Sequence, residues 1–172
     1  MHSSDLRSES MNTYTTGYTE FLSKWNWELY MTFYFYEVRK YKPVNLCFAI
    51  RKVKAFLWGE KKKTFRQIKF AGIIVAVHRA STHCHVVLVS DNNYPRRLND
   101  LGDKSLSGLQ DKWKHGALLI EKVYFNAGIC GYLASDRNMD LRFPDSWALE
   151  FFRPRVLASL NDRSNGIPMV AP

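Results

Sequence analysis

Apolar and polar positions change their period several times along this chain, and each change marks an element. In "WELYMTFYFYEV" (residues 27–38), aromatic and β-branched residues crowd into a run whose length and bulk predict a sheet strand. A 3,4 spacing follows: Leu46, Cys47, Ile50, Val53, Lys54 and Leu57 predict a helix that starts near Pro43 and stops at Gly59. "EKKKTFRQ" reads as a charged loop. "KFAGIIVAVH" and "THCHVVLVS" are then two strands of an antiparallel hairpin closed by the polar residues 79–82. "SLSGLQDKWKHG" has a serine start, apolar Leu106, Leu109 and Trp113 and a closing glycine, so it predicts a helix, and "ALLIEKVYF" another strand. In "NAGICGYLASDRN", Ile129, Tyr132 and Leu133 recur at helical spacing behind Asn126 as a cap. "SWALEFFRPR" predicts a short packed element.

The order strand, helix, strand, strand, helix, strand, helix predicts an α+β domain: a central antiparallel sheet with helices packed on it, of ferredoxin-like or split βαβ character. Residues 21–160 form that domain, between a poorly ordered polar lead-in (1–20) and a loose tail (161–172). At 172 residues the chain is long enough for one core, and no internal repeat breaks it up.

Charge narrows the class of partner. Twenty-five Lys and Arg against 16 Asp and Glu give a formal charge of +9, which suits a polyanion. The excess is concentrated: residues 38–70 hold Arg39, Lys40, Lys42, Arg51, Lys52, Lys54, Lys61, Lys62, Lys63, Arg66 and Lys69 against the single acid Glu60. The helix from Lys42 to Lys54 and the lysines after Glu60 are therefore the predicted phosphate contacts, with Tyr34, Tyr36 and Trp58 as aromatics that could stack on bases. Three widely spaced cysteines, Cys47, Cys84 and Cys130, argue against a disulfide framework or a zinc-cysteine knuckle. With no signal-like or membrane-length apolar run, a soluble, cytoplasmic protein without a membrane partner is expected.

The stretch "HRASTHCHVVLV" concentrates three of the five histidines in eight residues. Strand alternation turns His83 and His85 to one face and Cys84 to the other. If residues 79–82 close the hairpin, His78 sits opposite His83 and joins them. Three imidazoles on one face offer three nitrogen lone pairs to a metal and leave coordination positions open for water or a phosphate oxygen. The alternative is a polar sheet face on which the histidines only hydrogen-bond. Tyr132, likewise, is either a packing aromatic or a nucleophile.

"YMTFYF" on a first strand, "HCHVVLV" on a central strand and "GYLAS" on a later helix resemble, in that order, the three motifs of the HUH endonuclease superfamily. The resemblance spans residues 27–141. It implies that His83 and His85 are metal ligands, with a third polar ligand from an adjacent strand for which His78 is the geometric candidate. It implies that Tyr132 is the nucleophile of a single-tyrosine enzyme, since Gly128, Ile129, Ser135 and Asp136 occupy the places where a second tyrosine would stand; Tyr124 is the fallback. Many members carry a lysine three or four residues after the tyrosine. This chain has Ser135 and Asp136 there, and Arg137 or Lys122 would have to substitute.

The activity that this resemblance implies is nicking and joining of single-stranded DNA with Mg²⁺ or Mn²⁺. The link is a 5′-phosphotyrosine with a free 3′-hydroxyl, as in replication initiators that start rolling-circle replication of a plasmid or virus. A tyrosine hydroxyl, with a pKa of about 10, is a poor nucleophile at neutral pH, so the bound metal has to supply charge neutralisation and orientation. The expected partners are single-stranded DNA at a replication origin and a host helicase and polymerase, because no GxxxxGK[ST] loop is present. Self-association is left open. Relaxases and transposases share the chemistry, and a non-catalytic nucleic-acid-binding domain is the alternative from another class.

Overall fold

The computed structural model describes residues 16–36, 45–78, 81–135 and 147–164, the side chains of 161–164 excepted. Five strands form one antiparallel sheet: β1 (Leu29–Tyr34), β2 (Phe70–His78), β3 (Thr82–Ser90), β4 (Leu118–Lys122) and β5 (Trp147–Phe152). Their order across the sheet is β4-β1-β3-β2-β5, with every neighbouring pair antiparallel. The first four strands, with α2 (Leu46–Lys61) between β1 and β2 and α3 (Asp103–Lys112) between β3 and β4, reproduce the expected ferredoxin-like order. Three further helices complete the α+β domain: α1 over residues 16–22, α4 (Asn126–Ala134) and α5 (Pro154–Ser164).

Strand alternation divides the core into two layers. Leu29, Met31 and Phe33 of β1 and Cys84, Val86 and Leu88 of β3 face α2 and α3, whose Val53, Leu57, Leu106 and Leu109 complete the larger cluster. Ile73, Val75, Val77, Val87 and Val89 face the other way, against Leu22 of α1, Cys130 and Leu133 of α4 and Leu157 of α5. Each fully buried Leu, Ile, Val or Phe contributes about 1.5–3 kcal/mol of transfer free energy, so both layers contribute to holding the sheet between them. Two buried indoles tie the second layer together: Trp25 Nε1 donates to the Leu157 carbonyl at 3.0 Å and Trp27 Nε1 to the Leu22 carbonyl at 2.9 Å.

Several local expectations change. Helix α2 begins at Leu46, where Asn45 Oδ1 accepts from the Cys47 amide at 2.8 Å, and it runs through Gly59 to Lys61. Gly59 does not end it because the buried Glu60 anchors the next turn, accepting from Lys112 Nζ at 2.8 Å and Thr64 Oγ1 at 2.6 Å. Residues 16–20, predicted as loose lead-in, are helical and lead into the buried Leu22. "SWALEFFRPR" is edge strand β5 followed by the start of α5, which carries residues 161–164 of the expected loose tail into regular structure. Among the described residues no helix is long and apolar enough to cross a membrane.

Candidate active site

The site grows out of the end of the sheet where the second layer's hydrophobic cover stops. On β3, Val87 and Val89 are packed under the helices, and the next two residues on the same face are His85 and His83. His85 is 3% exposed and His83 half-buried. Strand β1 lies alongside with Thr32 opposite His85 and Tyr34 opposite His83. Tyr30, one step further along β1, reaches diagonally to stack on His85 with ring centroids 5.6 Å apart, as Tyr34 stacks on His83 at 5.9 Å. The two imidazoles meet edge to face at 4.8 Å.

Hydrogen bonds orient these rings. His83 Nδ1 lies 3.3 Å from the Ser81 carbonyl, which can only accept, so the hydrogen belongs on Nδ1 and the lone pair on Nε2. His85 Nδ1 lies 2.6 Å from Tyr30 Oη and 3.3 Å from Thr32 Oγ1. Its other nitrogen, Nε2, is buried with no hydrogen-bond partner among the described residues. Burial, and then the neighbouring His83, push the His85 pKa down to about 4, so this imidazole is neutral at physiological pH. Burial likewise raises the Tyr30 hydroxyl well above the usual tyrosine range and keeps it protonated.

Tyr132 reaches the same place from α4. The helix buries Cys130, Leu133 and Ala134 against the sheet, which leaves Tyr132, one step around, 45% exposed at the helix edge. Its ring stands edge-on to His85 at 5.7 Å and to Tyr30 at 6.3 Å. Asn126 was predicted as the cap of this helix, but it is the first helical residue. It fixes where the helix starts, because its Oδ1 accepts from the Trp27 amide at 3.1 Å and its Nδ2 donates to the Trp25 carbonyl at 3.0 Å. Tyr30, Tyr34, His85 and Tyr132 line one open cleft of about 340 Å³, together with Glu121 of β4.

His78 does not join the other two histidines. The loop closes one residue earlier than the even four-residue turn requires, so His78 pairs with Thr82 and Val77 with His83. A one-residue change of register turns a side chain to the opposite face. His78 therefore sits on the α2 side of the sheet, its Nδ1 3.0 Å from Thr82 Oγ1. Tyr124, the fallback nucleophile, lies in the connection between β4 and α4 and is 91% exposed. Lys42 and Arg137 lie outside the described residues. Arg51, Lys52, Lys54, Lys61, Lys62 and Lys63 all lie on α2 or just after it, on the face of the sheet opposite the cleft. Lys54 is committed to Glu150 at 2.7 Å, and Lys61 lies over Trp58 at 4.9 Å.

Among the described residues, no three His, Cys, Asp or Glu side chains come together as a group that could hold a metal. Two imidazoles nonetheless stand side by side at 4.8 Å, one with a buried Nε2 that no described residue satisfies, and a divalent cation is a group that such a nitrogen could hold. The remaining positions would fall to water or a phosphate oxygen. Sequence reasoning missed three polar cleft residues, Tyr30, Thr32 and Glu121. The β1 alternation Tyr30, Thr32, Tyr34 was the available signal, since it places three hydroxyl groups on one face of a strand otherwise filled with Leu, Met and Phe. No protein-family model matches the chain, and neither a curated protein nor a solved structure matches it.

Proposed function

We propose that the protein is a metal-dependent, site-specific single-stranded DNA nickase of the HUH type that initiates rolling-circle replication of a plasmid or virus. Tyr132 is its nucleophile, and His83 and His85 hold Mg²⁺ or Mn²⁺. The observation that carries this reading is the meeting of Tyr132 with His85 in one open cleft, with His83 packed on His85 at 4.8 Å and a buried His85 Nε2 that has no partner among the described residues. The sheet positions both imidazoles and α4 positions the tyrosine, so the reacting groups stand on rigid elements. A divalent cation at His83 and His85 would supply charge neutralisation on the scissile phosphate.

In the reaction the Tyr132 oxygen attacks phosphorus. A P–O bond to tyrosine forms as the bond to the 3′ oxygen breaks, the tyrosine proton leaves to solvent and the departing 3′ oxygen takes one up. The covalent link retains the phosphodiester for rejoining, and the 3′-hydroxyl is available to a polymerase. The cleft's open side and the half-exposed Tyr34 and Tyr132 suit a single strand whose bases can stack. The basic surface of α2, on the far side of the sheet, favours a second reading in which the chain binds nucleic acid there without chemistry.

A pool of labelled single-stranded DNA that includes the sequence flanking the gene, incubated with Mn²⁺, tests the first reading. It expects a denaturation-resistant protein–DNA adduct that is lost with chelator and with Tyr132→Phe. An adduct that persists in Tyr132→Phe would remove Tyr132 as the nucleophile. Salt-sensitive DNA binding with no adduct and no Mn²⁺ uptake would establish the second reading.

A further inference from the structure

Among the described residues His85 Nε2 has no partner in either tautomer, which costs about 1–3 kcal/mol whether it is an orphan donor or an orphan acceptor. Only the lone pair is something that a cation can satisfy. With the hydrogen on Nδ1, the N–H donates to Tyr30 Oη at 2.6 Å and the lone pair is left on Nε2. The Tyr132 ring stands edge-on to Tyr30, with centroids 6.3 Å apart.

We infer that Tyr30 is a positioning residue: its oxygen accepts from His85 Nδ1–H, which fixes the ring and leaves Nε2 as the nitrogen that carries the lone pair, while its own ring packs edge-on against Tyr132. One residue then holds the His85 ring by a hydrogen bond and backs the Tyr132 ring by packing. Tyr30 suits this task because it is mostly buried on β1 and locked by stacking on His85 at 5.6 Å and edge-on to Tyr132 at 6.3 Å. Thr32, at 3.3 Å from the same nitrogen, is the weaker partner. The tautomer rests on Nε2 serving as a cation ligand, and the consequence for catalysis rests on the nickase reading.

Nitrogen-15 NMR of the metal-free protein tests the tautomer directly. The expected spectrum of the wild type has the His85 hydrogen on Nδ1, and Tyr30→Phe, which keeps the ring and removes the hydroxyl, mixes the two tautomers. Titration with Mn²⁺ alone should then show affinity about tenfold or more weaker in Tyr30→Phe, as expected when a metal ligand loses its orienting partner. The rate of adduct formation at saturating DNA should fall while DNA affinity stays unchanged. A wild-type His85 protonated on Nε2 overturns the inference without any variant, and so does unchanged Mn²⁺ affinity in a folded Tyr30→Phe. If the wild type forms the adduct and the tautomer is wrong, the nickase reading stands alone. If the tautomer is right and no adduct forms, the positioning stands and the nickase reading fails.

Discussion

Asn126 clasps the backbone that leads into β1: its Oδ1 takes the Trp27 amide hydrogen at 3.1 Å and its Nδ2 gives one to the Trp25 carbonyl at 3.0 Å. Those bonds tie the segment just before β1, which carries Tyr30, to the start of the helix that carries Tyr132. Replacing Asn126 with Ala removes both partners and leaves two backbone groups in a half-buried setting. A loss of about 1–3 kcal/mol in unfolding free energy is expected, measured as a lower urea midpoint at unchanged slope. Adduct formation should fall in protein that is still fully folded, because the helix start is no longer pinned. Full activity in a folded Asn126→Ala would show that packing of Cys130 and Leu133 alone places Tyr132.

The two remaining histidines of the motif are separable by experiment. His83→Ala and His85→Ala should each abolish measurable Mn²⁺ binding, whereas His78→Ala should leave it unchanged, since His78 lies on the opposite face beside Thr82. Isothermal titration with Mn²⁺ measures all three. Metal affinity lost with His78→Ala would contradict the strand register.

That histidine also marks where sequence reasoning stops. Element types between β1 and α4 were readable because their periods are long and clear, and His83 and His85 share a face in any strand because side chains alternate. The position of His78 depended on the length of one turn, and a single residue there exchanges the two faces. The lysines of α2 posed a similar problem: helical periodicity identifies an apolar stripe but does not say which side of a sheet it covers. Only the placement of Val53 and Leu57 against Phe33 and Val86 puts that charge away from the cleft. Strand β5 and α5 were hidden because Pro154 and the charges of 153–155 break up a short apolar run, although the strand before them completes the sheet edge.

Acid should weaken the fold through His85. Its folded pKa, held at about 4 by burial and by His83, lies below the ordinary 6.5 of an unfolded imidazole. Between those values the unfolded chain binds a proton that the folded one does not, so stability is fullest above pH 6.5 and declines as the pH falls to about 4. The loss from this group approaches roughly 3 kcal/mol at the low end. In metal-free protein, the difference in urea-unfolding free energy between wild type and His85→Gln should therefore move against the wild type across that window. A difference that stays flat from pH 7 to pH 4 would mean that His85 is solvated and titrates normally.

The far-face cations test whether α2 carries DNA. Arg51, Lys62 and Lys63 are exposed, whereas Lys54 is held by Glu150 and Lys112 by Glu60. If all three exposed cations neutralise phosphates of a single strand, replacing them with Gln should reduce the slope of log K against log salt by about 2, at roughly 0.7 per phosphate. Fluorescence anisotropy over a salt series measures it. The face on which they lie adds a second expectation: the rate of adduct formation once the DNA is saturating should not change, because these side chains are separated from Tyr132 by the whole thickness of the sheet. An unchanged salt slope would assign the chain's positive charge another role, and a fall in the saturated rate would mean that DNA wraps the sheet edge and that α2 helps to seat the strand in the cleft.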